Sequence, residues 1–245
     1  NPTKDTSRLV TEPPLPHMYT DLAWAWPLIS PPEDYQQEAG DFTARLLAHA
    51  RRPLHSLLHL GCGGGHLDHW LQARFAVTGV DLSPEMLDLA RRLNPGVTYL
   101  PGDMRTLRLP EAFDAVIIAD SIAYMLTEAE LLQAFQTAYA HLAPGGVFCT
   151  YVEAEPETFE QNRVHSFASH GEGVDLAFLR CDYDPDPSDT TFEMTFVTLI
   201  RRPGQPQQII TDTHLSGIFP LPTWQRLLQQ AGFEAITLDE TSYGD

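Results

Sequence analysis

The stretch Leu57-Leu58-His59-Leu60-Gly61-Cys62-Gly63-Gly64-Gly65-His66 decides how the chain is to be read. A short apolar run over Ser56 to Leu60 predicts a strand, a glycine-rich turn follows, and the helical spacing of Leu67 and Leu71 begins directly after it. Glycine admits positive φ and lets a ligand approach the backbone, and the first turn of a helix carries N–H groups with no partner inside the helix. That order predicts a ligand seat at the carboxyl end of a strand. A dinucleotide fingerprint would need its third glycine at position 66, and His66 stands there.

On both sides of this stretch the same alternation continues. Upstream, Ala39, Phe42, Leu46, Leu47 and Ala50 form one helical face between Tyr35 and Pro53. Downstream, Phe75 to Val80 predicts a second strand, Asp81 ends it, and Ser83-Pro84-Glu85 opens a helix with a capping serine and an early proline. Val97 to Leu100 predicts a third strand, and the unbroken apolar run Ala115 to Ala119 a central parallel strand buried on both faces. Thr127 to Glu130 has capping-box spacing for a helix carrying Leu131, Leu132, Phe135, Ala138 and Leu142; Pro144-Gly145-Gly146 then precedes a fifth strand over Val147 to Val152. Repeated β-α units predict an α/β fold, a doubly wound, Rossmann-like and mostly parallel sheet with right-handed crossovers.

The remainder divides by composition. Residues 1–34 open with a proline-punctuated stretch and predict an N-terminal arm on the body. Residues 35–152 and 218–245 form the predicted core, the second part holding a helix with Trp224, Leu227, Leu228 and Ala231 on one face, Gly232 as its cap, and a strand over Phe233 to Leu238. Between them, residues 153–217 predict a lid. Its three strand-like runs from Val174 to Gly217, parted by Asp184-Pro185-Asp186-Pro187 and Pro203-Gly204-Gln205-Pro206, predict an antiparallel three-strand insert.

Composition narrows the partners. Fifteen Lys and Arg stand against 33 Asp and Glu, a formal net charge of −18, and Lys4 is the only lysine, so nucleic acid would be bound against a repulsive field. Hydrophobic residues make up 43% of the 245 and charged residues 20%, with no apolar run long enough to span a bilayer, so neither a membrane partner nor general disorder is expected. Cys62, Cys149 and Cys181 are widely spaced, without a C-x-x-C pair, and the histidines show no metal spacing; neither a disulfide framework nor a metal site is expected. With no apolar leader at the start of the sequence, the cytoplasm is the expected compartment.

The G-x-G-x-G spacing of Gly61, Gly63 and Gly65 resembles the cofactor loop of class I S-adenosylmethionine-dependent methyltransferases. Three further features resemble that family in order: Asp81 at the end of the second strand, Gly102-Asp103-Met104 after the third, and Leu142-Ala143-Pro144-Gly145-Gly146 before the fifth. Phe113-Asp114-Ala115-Val116 followed by Asp120-Ser121-Ile122-Ala123-Tyr124 resembles the fourth-strand segment of a bacterial small-molecule subgroup, although Ala123 stands where that subgroup often has Asn. The insert, the stretch from Thr213-His214-Leu215 to Gly232-Phe233, and the arm segment Tyr19-Thr20-Asp21-Leu22 with Tyr35 are similar to the lid, last helix and aromatic arm of nucleotide-sugar N-methyltransferases.

The resemblance implies S-adenosylmethionine as cofactor, held by Tyr19, Gly61, Cys62, Gly63, Gly65, Asp81, Leu82, Asp103, Met104 and Asp120, with Asp81 on the ribose hydroxyls and Asp103 on the adenine amino group. It implies in-line methyl transfer to an N or O atom of a small metabolite. Many such acceptors need a base, and His165, Glu153 and Tyr124 are the first candidates, ahead of Tyr151, His170, Asp182 and His214. Trp24 and Trp26 either line the acceptor pocket or pack the arm on the core. The insert has two candidate roles, acceptor selection and a homodimer interface through its strand edges. A protein or tRNA methyltransferase and a non-catalytic cofactor-binding protein are the alternatives.

Overall fold

The computed structural model describes residues 15–171 and 173–239, so the first fourteen residues of the predicted arm lie outside the described part. Five strands, β1 (Ser56–Leu60), β2 (Ala76–Asp81), β3 (Thr98–Pro101), β4 (Phe113–Ile118) and β5 (Leu142–Cys149), form one sheet in the order β3-β2-β1-β4-β5 with every pairing parallel. The helices are α1 (Trp26–Ile29), α2 (Gln36–His49), α3 (His66–Leu71), α4 (Pro84–Leu93), α5 (Glu128–Ala140) and α6 (Leu221–Ala231). All six residues of β4 are buried, which is what its unbroken apolar run requires of a strand covered on both sides. One face is filled by Phe135 of α5 with Trp224 and Leu227 of α6, the other by Phe42 and Leu46 of α2 with Leu71 of α3. The expected caps are present: Ser83 Oγ accepts from the Met86 N–H at 3.0 Å, and Thr127 and Glu130 complete a capping box. The strand order reverses between β1 and β4, which opens a crevice at their carboxyl ends.

The antiparallel addition has four strands, one more than the sequence predicts: β6 (Arg163–Gly171), β7 (Val174–Tyr183), β8 (Thr191–Arg201) and β9 (Gln208–Gly217), in that order. β6 escapes a periodicity reading because it has no buried face to pattern; it is held by its ladder to β7. A second correction concerns Phe233 to Leu238, which forms no strand. Its first ring instead stacks on Phe148 with centroids 5.2 Å apart and meets Tyr139 edge-on at 5.3 Å. The fifth strand starts at Leu142 and ends at Cys149, three residues short of Val152.

The arm is stitched to the addition. Leu22 and Ala25 are buried with Val174 and Leu176 of β7 and Ile200 of β8, so arm and antiparallel sheet share a small apolar core.

Candidate functional site

The turn after β1 has the backbone that only glycine accommodates freely. Gly61 sits at φ 72°, and a Cβ there would run into the Ser121 side chain and come within 2.8 Å of the Met104 methyl. The N–H groups of Gly61 and Cys62 donate to the Val80 carbonyl, at 2.7 and 2.9 Å, which pins the turn to β2. His66, at the place of a third glycine, faces away from this seat. Its Nδ1 lies 2.7 Å from the Ser30 carbonyl oxygen, and Trp70 Nε1 donates to the Pro32 carbonyl at 2.7 Å, so α3 ties down the arm. Burial lowers the His66 pKa and keeps the ring neutral in this contact. Trp26 lies on the Gly64 side of the turn, while Trp24 carries the Arg202 guanidinium 4.5 Å from its ring centroid, away from the turn.

Asp81 ends β2 with each carboxylate oxygen accepting one backbone N–H, Gly63 at 2.8 Å and Ser83 at 2.9 Å. A carboxylate has about four lone-pair positions, so two remain for a pair of hydroxyls. Burial raises its pKa against the pull of those N–H groups. Leu82 beside it is 49% exposed, a bare apolar surface next to the carboxylate. Asp103 is fixed by the Arg105 side chain and backbone N–H, with Arg105 Nη2 2.6 Å away; burial opposes its ionisation, Arg105 outweighs that, and the carboxyl sits below its ordinary value. Cys62 is buried, and burial pushes its thiol up, which suits a space-filling residue rather than a nucleophile.

Asp120 follows β4 deep in the cleft with its surface open to it. Burial and then Glu153 push its carboxyl up to about 6. Glu38, from α2, is pushed up to about 7 by burial and then by Asp120, and its buried Oε1 has no hydrogen-bond partner. Asp120 thus meets the repulsion of two further carboxylates, Glu153 and Glu38, at the crevice. A cation relieves that repulsion. A sulfonium nucleoside needs a glycine-shaped approach, a carboxylate for a ribose diol and anionic surroundings; Gly61, Asp81 and the Asp120–Glu38 pair fit each requirement.

Across the crevice the β5–β6 segment and the antiparallel sheet enclose a cavity of ≈ 270 Å³ lined by Glu153, Glu155, Glu160 and Asp182, the Arg163 and Arg180 guanidiniums, His165 and the rings of Phe159 and Phe192. Arg180 holds Glu153 Oε1 at 3.1 Å and Asp182 Oδ1 at 2.7 Å. Of the first three catalytic candidates, Glu153 and His165 therefore meet at this cavity, His165 opposite Arg180 in the β6–β7 ladder. Tyr124 belongs to a different group: its hydroxyl lies 2.6 Å from that of Tyr19 and 2.7 Å from His214 Nδ1. Tyr151 packs on Phe42, and His170 pairs with Asp175 at the far β6–β7 turn.

Two participants escaped the sequence reading although signals were present. Glu38 is one helical turn before Phe42 on the buried stripe of α2. Arg180 shares strand parity with Val174, Leu176 and Phe178 on the inward face of β7.

The family model described as "Methyltransferase domain" matches residues 57–146, from β1 into β5. Over 210 residues, 84% of the chain, the sequence is 32% identical to the dTDP-3-amino-3,4,6-trideoxy-alpha-D-glucopyranose N,N-dimethyltransferase of Streptomyces venezuelae, of which 86% is covered. Among solved structures, DesVI from the same organism superposes with a TM-score of 0.76 at 28% identity over 86% of this chain and 87% of that one. The S-adenosylmethionine-bound CalS10, an amino pentose methyltransferase from Micromonospora echinaspora, superposes with a TM-score of 0.74 at 29% identity, covering 86% and 88%.

Proposed function

The chain belongs to the S-adenosylmethionine-dependent methyltransferases, and from that premise we propose that it methylates the amino nitrogen of a small sugar-like acceptor carried on a nucleotide. The substrate class is that named for the Streptomyces venezuelae relative. The observation that carries the reading is the excess of carboxylate at the seam: burial and Glu153 hold the Asp120 carboxyl above its ordinary value, burial and Asp120 do the same to Glu38, and Glu153 continues into a cavity with four acids and two guanidiniums. An amine is drawn into such a site, whereas a diphosphate is repelled. At ≈ 270 Å³ the cavity lies at the small end of ligand pockets, which suits a single ring with the rest of the acceptor outside.

Bound S-adenosylmethionine supplies an electrophilic methyl group on a positively charged sulfur. The chain positions and dries the reacting centre. In this proposal Gly61, Cys62, Gly63 and Gly65 shape the approach, Asp81 holds the ribose hydroxyls, Leu82, Asp103 and Met104 flank the base, and Asp120 offsets positive charge. Glu153 orients the amine with His165 at the rim, and the arm through Tyr19 excludes water. The division of labour is arm 1–34, cofactor core 35–152 and 218–245, and acceptor lid 153–217. The edge strand β6, with Val164 and Phe167 exposed, is the surface on which a second copy would pair.

The test supplies S-adenosylmethionine with an amino-sugar nucleotide or with its hydroxyl counterpart and follows S-adenosylhomocysteine. Turnover with the amine alone is the expected result. Turnover with the hydroxyl compound and not the amine, or only with a protein or tRNA, overturns the reading.

A further inference from the structure

One hydrogen-bonded file of side chains crosses three separate segments of the site. Tyr19 comes from the arm, Tyr124 from the turn after β4, and His214 and Asp212 from β9. The hydroxyls of Tyr19 and Tyr124 are 2.6 Å apart, Tyr124 Oη is 2.7 Å from His214 Nδ1, and His214 Nε2 is 3.1 Å from Asp212 Oδ2. The His214 side chain is 1% exposed, and the Phe196 ring lies 4.5 Å from it, centroid to centroid.

The proton positions follow from the far end. Asp212 Oδ2 also accepts the Met18 N–H at 3.1 Å, and an ionised carboxylate only accepts, so His214 Nε2 carries the hydrogen. Burial lowers the His214 pKa, which keeps the ring neutral, so Nδ1 is an acceptor. Tyr124 must then donate to His214, and Tyr19 must donate to Tyr124. The Tyr19 oxygen is left with lone pairs and a need for a donor. Its backbone carbonyl takes the Ser83 hydroxyl at 2.5 Å, beside Asp81, while Asp120, Asp81 and Glu153 all act on its hydroxyl. The open end of the file therefore lies between the cofactor seat and the acceptor cavity.

We propose that this file receives the proton an acceptor ammonium loses before methyl transfer, with Tyr19 as the catalytic residue that touches the nitrogen and Tyr124, His214 and Asp212 acting through it as positioning residues. The inference rests on the amine reading above. One N–H bond of the ammonium breaks, its electron pair stays on nitrogen as the attacking lone pair, and the proton binds Tyr19 Oη. Tyr19 passes its own proton to Tyr124, Tyr124 passes its proton to His214 Nδ1, and the resulting imidazolium is stabilised by Asp212 and returns the proton to solvent after turnover. Both phenols are held above their ordinary pKa by burial, so they hand protons on rather than ionise. The charged and titratable groups facing the file are Asp212 on β9, Arg180 on β7, Asp81 at the end of β2, Glu153 after β5 and Asp120 after β4.

The experiment compares the full chain with His214→Gln and Tyr124→Phe, using the amino-sugar nucleotide as acceptor and recording kcat and KM from pH 6 to pH 10, with melting temperature and S-adenosylmethionine affinity as controls for folding. At pH 7 each variant should lose roughly 10²-fold in kcat, with KM for the cofactor within a few-fold. The loss should shrink as pH rises, because an amine already free of its extra proton needs no file. Nitrogen-15 histidine spectra of the unliganded protein should show His214 neutral with hydrogen on Nε2. A deficit equal at every pH means the file only clasps the arm to the sheet and overturns the proposal, as does hydrogen on Nδ1. Absence of amine turnover in the wild type is a separate outcome: it sinks the substrate reading, and the proposed proton source with it, whatever the variants do.

Discussion

The parallel and antiparallel sheets solve the same problem, covering a cleft, with opposite materials. In the parallel sheet β4 has no exposed side chain and its core includes Phe135, fully buried between Phe148 and Trp224. In the antiparallel sheet β6 has seven of its nine residues exposed, and its inward partners on β7 include an arginine and an aspartate. The first half presents a glycine turn and one carboxylate fixed by backbone N–H groups. The second lines its cavity with charged side chains collected from distant segments. Rigid burial suits a constant cofactor, and adjustable charge suits an acceptor that differs between enzymes.

The sharpest way to break this comparison is to hollow out each sheet in turn. Phe135→Ala should destabilise the protein by about 3–5 kcal/mol in denaturant unfolding, since a fully buried ring leaves a cavity. Val164→Ala on β6, where the side chain is 54% exposed, should change stability by no more than about 0.5 kcal/mol. Similar losses at the two positions would mean that β6 is covered in solution, as the second-copy reading requires. Next in size is Asp81→Ala, which removes a charged hydrogen-bonding group from the cofactor side. Calorimetry should show S-adenosylmethionine binding weaker by about 1.5–3 kcal/mol. Unchanged affinity would remove Asp81 from the ribose.

The same contrast explains what the sequence disclosed. The glycine turn, Asp81, the Ser83 cap and the Thr127–Glu130 box were legible because each is a local arrangement between residues at most twenty apart, set by backbone geometry. The file from Tyr19 to Asp212 was not legible, since Tyr19 meets Tyr124 across 105 positions and Tyr124 meets His214 across 90; His214 and Tyr124 were noticed singly, and only the fold joins them. β6 was missed because ladder pairing without a buried face leaves no periodicity, and the strand expected over Phe233 to Leu238 was a false reading of apolar residues whose first ring packs as a plug against Phe148. The insert was recognised by the absence of helical spacing, but its chemistry rests on Arg180, a charge placed on an apolar parity.

The smallest expected effect lies at the seam between the two halves, at Asp120. Its carboxyl is raised from an ordinary value of 3.8 to about 6, first by burial and then by Glu153. The folded state therefore holds this proton to higher pH than the unfolded chain does, so the contribution is fully present below about pH 4 and is lost as pH climbs towards 6. An amide cannot ionise, so Asp120→Asn should be spared this loss: its melting temperature relative to the wild type should rise between pH 4 and pH 7. Because Asp120 opens onto the cleft, solvent screening limits the gain to under about 1 kcal/mol. Saturating S-adenosylmethionine should shrink or reverse the advantage, since a bound cation turns the ionised carboxylate from a liability into a partner. A variant whose advantage is the same with and without the cofactor would show that Asp120 answers only to Glu153 and Glu38, and that the positive charge of the ligand is met elsewhere in the crevice.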